Sequence, residues 1–303
     1  MQSDIVTRCA PSPTGYLHLG HAYAAGIAFL RARQAGGRFL LRIEDIDTTR
    51  CRPEFTQAIF EDLHWLGLRW EEPVRLQSRH FADYATTLDS LQQRGLLYPC
   101  FCTRKQIQAE IAAAGHAPHG FEGAVYPGTC RHLSAGERTQ RIASGEVYAL
   151  RLDMAAACQH VRGNWPLRWH DEHAGWQETT AGLLRQGFGD VVLARKEIPA
   201  SYHLCVTHDD ALQGITLVTR GRDLFAATHL HRLLQALFDW PVPAYAHHAL
   251  LLDEAGERLA KRKHAPALRD LRAAGVSPAA VWQQAGLDPA AFPMLGQRPS
   301  GSE

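Results

Sequence analysis

Residues 8–21 read RCAPSPTGYLHLGH, and this stretch decides the fold. It follows the short β-like run Ile5-Val6 and opens a run with helical spacing from Ala22 to Gln34. Two prolines and two glycines make a stiff, irregular turn between these elements. His18 and His21 lie at the start of the helix, where backbone N–H groups and the helix dipole favour anions. The stretch therefore indicates a polyphosphate-binding turn, and an ordinary turn with surface histidines is the alternative.

A second β-like run, Arg38–Asp47, follows the helix and ends in three carboxylates. Strand, loop, helix and strand within fifty residues predict a βαβ unit with a parallel sheet. Loops at the carboxyl ends of such strands form the ligand crevice. Arg8 and Glu44 are therefore expected to face one pocket, offering a cation and an anion to a zwitterionic amino acid. A solvated strand end is the alternative interpretation of the acidic cluster.

Composition indicates a cytoplasmic enzyme-sized chain rather than a membrane or secreted protein. The 303 residues are 46% hydrophobic, which is enough for one large or two modest domains. The formal net charge is +1, so nucleic-acid contacts must come from local patches. We expect no transmembrane segment and no signal peptide. One basic patch stands out near the carboxyl terminus, and its members are Arg258, Lys261, Arg262, Lys263, Arg269 and Arg272.

Periodicity divides the rest of the chain into two regular regions around an irregular one. Helical spacing recurs over 53–68, 81–95 and 223–238. Residues 99–166 are rich in Cys, Gly, His and Arg, and we interpret them as an insertion between two halves of a nucleotide-binding fold. Strands over 190–193 and 215–219 are expected to return to the sheet.

Three cysteines of the insertion, Cys100, Cys102 and Cys130, are clustered in the sequence. Seven cysteines without regular spacing argue against a disulfide framework. In a reducing compartment such a cluster favours zinc. Residue chemistry alone would take a histidine as the fourth ligand, and the nearby histidines are His116, His119 and His132. Three unligated thiols are the alternative.

Four ordered motifs together resemble the glutamyl/glutaminyl group of class I aminoacyl-tRNA synthetases. His18–His21 (HLGH) resembles the HIGH element, and Arg258–Arg262 (RLAKR) resembles the KMSKS loop. Ala200–Leu204 (ASYHL) and Ile215–Leu224 (ITLVTRGRDL) are similar to the motifs between them. The similarity extends from Arg8 to Lys263 and is greatest to the truncated branch of the family, which loads glutamate onto queuosine in tRNA(Asp).

The resemblance implies an α/β fold: a Rossmann-type parallel-sheet catalytic domain with an inserted zinc-bearing subdomain. It implies a first half of the catalytic domain over 1–98 and an inserted subdomain over 99–188. It also implies a second half over 189–248, and a KMSKS-like loop with a short helical tail over 249–303. No anticodon-binding domain is expected, because only forty residues follow Lys263.

The resemblance also assigns site residues. It gives His18, His21 and Lys261 catalytic roles, and it places ATP, with its Mg²⁺, on those three residues and Gly20. The residues assigned to L-glutamate are Arg8, Cys9, Ala10, Pro11, Ser12, Glu44, Tyr202 and Arg220. A structural Zn²⁺, one per chain, would be held by Cys100, Cys102, Tyr126 and Cys130, although His132 matches the pattern of zinc-bearing glutamyl-tRNA synthetases, so the fourth ligand stays open.

Three functions remain to be compared. The first is activation of glutamate and its transfer to queuosine-bearing tRNA(Asp), by a monomer with no membrane partner. The second is charging of the 3′ end of tRNA(Glu), and the third is a non-catalytic amino-acid or tRNA-binding module. The short chain favours the first over the second, and the retained Lys261 argues against the third. Arg258 and Ala260 depart from the usual Lys and Ser, which we expect to alter the rate rather than abolish activity.

Overall fold

The computed structural model describes residues 4–113, 119–195, 198–251 and 266–293. The strands in this part of the chain are β1 Val6–Cys9, β2 Arg38–Ile43, β3 Glu71–Leu76, β4 Leu97–Cys100, β5 His119–Gly120, β6 Gly123–Ala124, β7 Ala149–Leu152, β8 Leu167–Asp171, β9 Gly175–Thr179, β10 Val192–Ala194, β11 Leu217–Gly221 and β12 Ala244–His248. The α-helices are α1 Leu19–Gln34, α2 Pro53–Trp65, α3 Phe81–Gln93, α4 Arg104–Ala113, α5 Ala135–Ala143, α6 Met154–His160, α7 Ala181–Gly187, α8 Tyr202–Leu212, α9 Ala227–Phe238, α10 Leu268–Ala273 and α11 Pro278–Gln284.

The chain forms two compact units that alternate along the sequence. The first unit comprises residues 1–78, 215–223 and 243–303, and the second comprises 79–214 and 224–242. The domain boundaries expected from the sequence stay a prediction. Among the described helices, none combines the length and the apolar character that crossing a bilayer requires.

A parallel sheet organises the first unit. β1 pairs with β2, and β2 with β3, all parallel. β11 and β12 form a second parallel pair. β11 runs beside β1, where the Thr216 N–H donates to the Val6 carbonyl (3.0 Å) and the Val6 N–H donates to Thr216 Oγ1 (2.8 Å). The parallel sheet expected from the βαβ pattern is therefore confirmed.

Small residues let α1 lie close to this sheet. Its buried face is largely alanine, including Ala22, Ala25 and Ala28. The helix ends before Gly36, whose φ of +62° is a left-handed conformation that glycine adopts without strain. A Cβ on the next residue, Gly37, would lie 2.0 Å from the Ile5 carbonyl oxygen, so only glycine allows the chain to turn straight into β2.

The carboxyl-terminal helices complete the core of the first unit. Trp282 of α11 is buried, stacks on Phe292 with ring centroids 3.9 Å apart, and donates from Nε1 to the Leu66 carbonyl (3.2 Å). The Leu268 N–H at the start of α10 donates to the Leu17 carbonyl (2.7 Å). Residues near the carboxyl terminus thus pack against the turn that precedes α1.

The second unit contains antiparallel strands. β4, β7 and β10 form one sheet in the order β10-β7-β4, and β8 pairs with β9. The expectation that residues 190–193 return to the parallel sheet is wrong for this segment. The strand covers Val192–Ala194 and is antiparallel to β7, and the Leu152 N–H donates to the Val191 carbonyl (2.9 Å). The partner of a short apolar strand is set by distant residues, which its own sequence does not reveal.

Helix ends differ from the sequence pattern by a few residues. α1 begins at Leu19, before the expected Ala22, because the two histidines cap it. α2 ends at Trp65, since Gly67 takes a φ of +84°. The helix expected over 223–238 begins at Ala227, and a short 3₁₀ turn precedes it.

Candidate functional site

His18 and His21 together cap the amino terminus of α1. His18 Nδ1 accepts a hydrogen bond from the Gly20 N–H (3.1 Å), and His21 Nδ1 accepts one from the His18 N–H (3.2 Å). The two ring centroids lie 3.9 Å apart. The two side chains form a reciprocal capping box, with His18 at the N-cap and His21 at the third helical position. Ser and Glu commonly occupy these two positions. Since each Nδ1 accepts, each neutral ring carries its proton on Nε2.

Both histidines are held neutral. Burial lowers the pKa of His18, and burial followed by the neighbouring His18 ring lowers the pKa of His21 to about 3. The turn therefore offers neutral N–H donors and backbone amides to an anion rather than imidazolium charge. That arrangement suits phosphate oxygens, and binding of a polyphosphate at this turn stays a prediction.

Three charged side chains are buried at the carboxyl edge of the parallel sheet. Arg8 is the next-to-last residue of β1, Glu44 follows β2, and Arg220 is the next-to-last residue of β11; they are 5%, 8% and 6% exposed, respectively. The Glu44 N–H donates to the Pro11 carbonyl (3.0 Å), which joins the loop after β2 to the loop after β1. Buried charges are costly in a fold and concentrate at functional sites.

The two arginines lie on adjacent strands. Arg8 Nη1 donates to the carbonyl of Thr219 (3.2 Å), the residue before Arg220. Arg220 Nε donates to His247 Nε2 (3.1 Å), and its guanidinium lies 5.4 Å from the ring centroid of Tyr245. These contacts fix both guanidinium groups at one edge of the sheet, where planar cations suit a carboxylate ligand.

Glu44 has a buried cationic partner that the sequence analysis missed. Arg42, which is fully buried on β2, donates from Nη2 to Glu44 Oε1 (3.1 Å). The signal was an arginine inside the apolar run Leu40–Ile43. The other two carboxylates of the acidic cluster bind different partners. Asp45 accepts hydrogen bonds from the N–H and Oγ of Ser78, and Asp47 forms an ion pair with Arg50 at the surface. Glu44 is thus the acid buried beside the basic groups.

The segment from Cys9 to Ser12 supplies backbone groups and uncharged side chains to the candidate site. Burial raises the pKa of Cys9 to about 12, opposed by Arg8 and assisted by Glu44, so both charges lie close to this thiol. Ala10 is half-buried, Pro11 is buried, and Ser12 is exposed. A raised pKa disfavours the thiolate form that a cysteine nucleophile needs.

The remaining assigned residues are Lys261 and Tyr202. Lys261 and the whole KMSKS-like stretch 258–262 fall outside the described residues. Ala267, six residues after Lys261, forms a β-bridge with His18. Tyr202 begins α8 in the second unit, with Ser201 as the helix N-cap.

Four side chains of the second unit converge in a cluster of possible metal ligands. The sulfur atoms of Cys100, Cys102 and Cys130 all lie within 4.8 Å of one another. The Tyr126 oxygen lies 3.4 Å from Cys100 Sγ and 3.5 Å from Cys102 Sγ, and it accepts the Cys130 N–H (2.9 Å). His132 is exposed, and no histidine joins the cluster among the residues described. His116 and the side chain of His119 are not among those residues.

Hydrogen bonds near this cluster favour a thiolate at Cys130, whereas burial raises the pKa of Cys102 to about 12. Burial acts to raise the pKa of Cys130, yet hydrogen bonds from the Phe101 N–H, Tyr126 and Cys102 hold it below its usual value. The guanidinium of Arg151 lies 3.9 Å from the Tyr126 ring centroid, and that of Arg141 lies 4.2 Å from the Phe101 ring. Three sulfurs and a phenol oxygen around one point suit zinc.

The chain is similar in sequence to known aminoacyl-tRNA synthetases. The protein family described as "tRNA synthetases class I (E and Q), catalytic domain" matches residues 4–287. A protein of Rhodobacter capsulatus named Glutamyl-Q tRNA(Asp) synthetase is 49% identical over 284 residues, which cover 93% of this chain and 100% of the relative. A protein of the same name from Nitratidesulfovibrio vulgaris is 43% identical, covering 90% of this chain and 83% of its own length.

A solved structure is also similar. The crystal structure of a glutamate tRNA ligase from Elizabethkingia meningosepticum, in complex with its amino acid, aligns with a TM-score of 0.68 at 27% identity. The match covers 90% of this chain and 53% of that chain.

Proposed function

The chain belongs to the class I tRNA synthetases of the glutamate and glutamine group, and we propose that this ligase activates L-glutamate with ATP and transfers it to queuosine in tRNA(Asp). The observation that carries the proposal is the set of buried charges Arg8, Glu44 and Arg220 at the carboxyl edge of the parallel sheet. Two fixed guanidinium groups and one carboxylate match an amino acid with an acidic side chain.

Glutamate recognition follows from this charge set. The γ-carboxylate would bind the guanidinium groups of Arg8 and Arg220, and the α-ammonium would bind Glu44. Glutamine would leave a buried guanidinium without its anionic partner, so glutamate is favoured. Tyr202 belongs to the second unit, and its contact with glutamate stays a prediction from the sequence.

Activation needs positioning and charge stabilisation rather than a protein nucleophile. An oxygen of the glutamate α-carboxylate attacks the α-phosphorus of ATP, a new P–O bond forms, and pyrophosphate leaves. The Nε2–H groups of His18 and His21 would donate to the phosphates, Gly20 would allow close approach to the backbone, and Lys261 would add a cation. Mg²⁺ would accompany ATP and neutralise phosphate charge.

Transfer completes the reaction. A hydroxyl of the queuosine base attacks the carbonyl carbon of glutamyl-adenylate, an ester forms, AMP leaves, and the hydroxyl proton passes to solvent. The named relatives support this acceptor, since the chain spans the full length of the one from Rhodobacter capsulatus. A base in a single-stranded loop can enter a pocket at less cost than a base in a duplex.

We further propose one structural Zn²⁺, held by Cys100, Cys102, Cys130 and Tyr126. The metal would cross-link β4 to the 3₁₀ turn Thr129–His132 and so stabilise the inserted segment.

The decisive experiment is transfer of labelled glutamate to purified tRNA. We expect label on tRNA(Asp) that contains queuosine and none on the same tRNA with guanine at that position. Labelled glutamine, tested in parallel, should load neither. Esterification of tRNA(Glu) at its terminal ribose would instead show an ordinary glutamyl-tRNA synthetase and overturn the proposal.

A further inference from the structure

A chain of hydrogen bonds in the second unit ends beside Tyr202. Both carboxylate oxygens of Glu122 lie near His203 Nε2, at 3.1 and 3.3 Å. On the other side of the same ring, His203 Nδ1 lies 3.1 Å from His231 Nε2. His231 is 3% exposed and the His203 side chain 14%, so the two imidazoles are largely shielded from water.

Glu122 reaches this position because its hairpin is tightly fixed. It lies at the tip between β5 and β6, next to Phe121, whose N–H donates to the Gly187 carbonyl (2.8 Å). A Cβ on Gly120 would lie 2.3 Å from that same carbonyl oxygen, and a Cβ on Gly187 would lie 2.3 Å from the Phe121 ring. The hairpin of the inserted segment therefore packs on the end of α7 in this way only with glycine at position 120, where the close atom belongs to the backbone.

The carboxylate sets the direction of the hydrogen bonds. A carboxylate can only accept, so His203 Nε2 must carry a proton and donate to Glu122. In neutral His203 the Nδ1 atom then carries no proton and accepts a hydrogen bond from the His231 Nε2–H. The hydrogen bonds from His203 lower the pKa of Glu122, which keeps the acceptor charged. One surface carboxylate thus fixes the tautomers of two shielded rings.

These two rings support the ring of Tyr202. The Tyr202 centroid lies 5.4 Å from that of His203 in an edge-on arrangement and 5.9 Å from that of His231. We propose that His203 is a positioning residue for Tyr202, and that Glu122 holds it in one orientation and one tautomer. The consequence for glutamate binding rests on the proposed function and on the expectation from the sequence that Tyr202 contacts the amino acid.

Steady-state pyrophosphate exchange on the full chain tests that consequence. Glu122→Ala should raise the KM for glutamate about five- to tenfold and leave the KM for ATP within about twofold. Glu122→Gln keeps an acceptor and should retain most of the affinity for glutamate. Glu178→Ala is the matched control, since Glu178 has a similarly exposed side chain (51% against 49%) in an ion pair with Arg168 of the same unit.

His203 variants separate positioning from bulk packing. His203→Ala should raise the KM for glutamate by at least as much as Glu122→Ala, and the double variant should be no worse than His203→Ala alone. His203→Gln can donate to Glu122 and accept from His231, so it should restore the KM. An equal rise in the KM for glutamate and ATP, or additive effects in the double variant, would overturn the positioning role.

Nitrogen NMR of the histidine rings tests the network without any substrate. Wild type should show His203 as the Nε2–H tautomer, and Glu122→Ala should convert it to a mixture. Unchanged His203 nitrogen shifts in that variant would refute the network. Wild type that shows this tautomer but no glutamate-dependent exchange would contradict the proposed function, not the network.

Discussion

Arg8 and Arg220 are buried on adjacent strands at the carboxyl edge of the parallel sheet, where the guanidinium group of each has a defined contact. Arg8 donates to a strand carbonyl, and Arg220 donates to His247 and lies over Tyr245. A buried cation fixed in this way is prepared for an anionic ligand, because little side-chain entropy remains to be lost on binding. The geometry of the guanidinium, in addition to its charge, should therefore matter.

Arg220→Lys tests this at the level of one residue. Lysine retains the charge but loses the planar fork and the Nε donor to His247, so we expect kcat/KM for glutamate to fall about 100-fold in pyrophosphate exchange. The KM for ATP should stay nearly unchanged. Arg38→Lys, at the exposed Arg38–Glu71 pair of the same unit, provides the control. A variant as active as wild type would remove Arg220 from glutamate recognition.

The sequence identified Arg8, Glu44 and Arg220 because charged residues at strand ends, in ordered motifs, are distinctive. It did not identify Arg42 or His247, although both contact those residues. Arg42 was concealed in the middle of a strand, where alternation alone suggests an outward side chain. His247 lies on β12, and its contact with Arg220 depends on the parallel pairing of β11 and β12, which neither strand encodes locally.

At the level of elements, the cysteine cluster brings the end of β4 next to the 3₁₀ turn Thr129–His132. Cys100 ends β4, and Cys130 lies in a 3₁₀ turn thirty residues later. The Phe101 N–H donates to Cys130 Sγ (3.4 Å), so the backbone already directs a donor at this sulfur. Such hydrogen bonds orient ligands and tune the metal that they bind.

Metal analysis should find one zinc per chain, and Cys100→Ser should release it. Tyr126→Phe should weaken zinc binding about 10- to 100-fold in competition with a chromophoric chelator, since it removes the oxygen nearest the sulfurs. His132→Ala should leave the affinity unchanged. The reverse result would make His132 the fourth ligand, and a protein purified without any metal would mean unligated thiols.

A second element-level contact joins α2 to α10. Asp62 of α2 is fully buried, and in the described structure neither of its oxygens has a hydrogen-bond partner. Arg272 of α10 approaches Asp62 Oδ1 to 3.6 Å and donates to the exposed Glu61 (3.0 Å). Burial raises the pKa of Asp62 to about 6, although Arg272 opposes the shift.

Asp62 should make stability depend on pH. Its pKa is higher in the folded chain than its usual value of 3.8, so the fold binds extra protons between about pH 4 and 6 and loses stability as the pH rises through that range. Asp62→Asn cannot ionise. Its free energy of unfolding relative to wild type should therefore improve by about 2 kcal/mol between pH 4 and pH 8, as measured by urea denaturation.

Asp89→Asn, at an exposed position on α3, is the matched control. A parallel pH dependence in wild type and Asp62→Asn would place the titration on another group.

Helices and strands were predictable where their pattern is local. The apolar spacing of α2 and α3 and the positive-φ glycines that follow them gave their positions to within a few residues. The pairing of β10 was not predictable, since three residues cannot specify a partner.

At the scale of the whole molecule, the acceptor on tRNA distinguishes the proposed reaction from ordinary charging. Removing the terminal adenosine from queuosine-bearing tRNA(Asp) should leave the rate of glutamate loading within about twofold, because the hydroxyl that reacts would lie in the anticodon loop. The comparison is a filter assay with labelled glutamate on intact and shortened tRNA. If removal of the adenosine abolished glutamate loading, the acceptor would be the 3′ end of the tRNA.

The first three strands are built early in synthesis, but the sheet is completed late. Val6 contacts Thr216, 210 positions further along the chain. At ribosomal rates of 5–20 residues per second, β1 waits on the order of 10–40 s for its neighbour β11 to emerge. During that interval β1 is an open edge with unpaired amides and carbonyls, which invites pairing with another nascent chain. Slow translation or a shortage of chaperones should therefore reduce the yield of folded protein more than the stability of the finished fold would suggest.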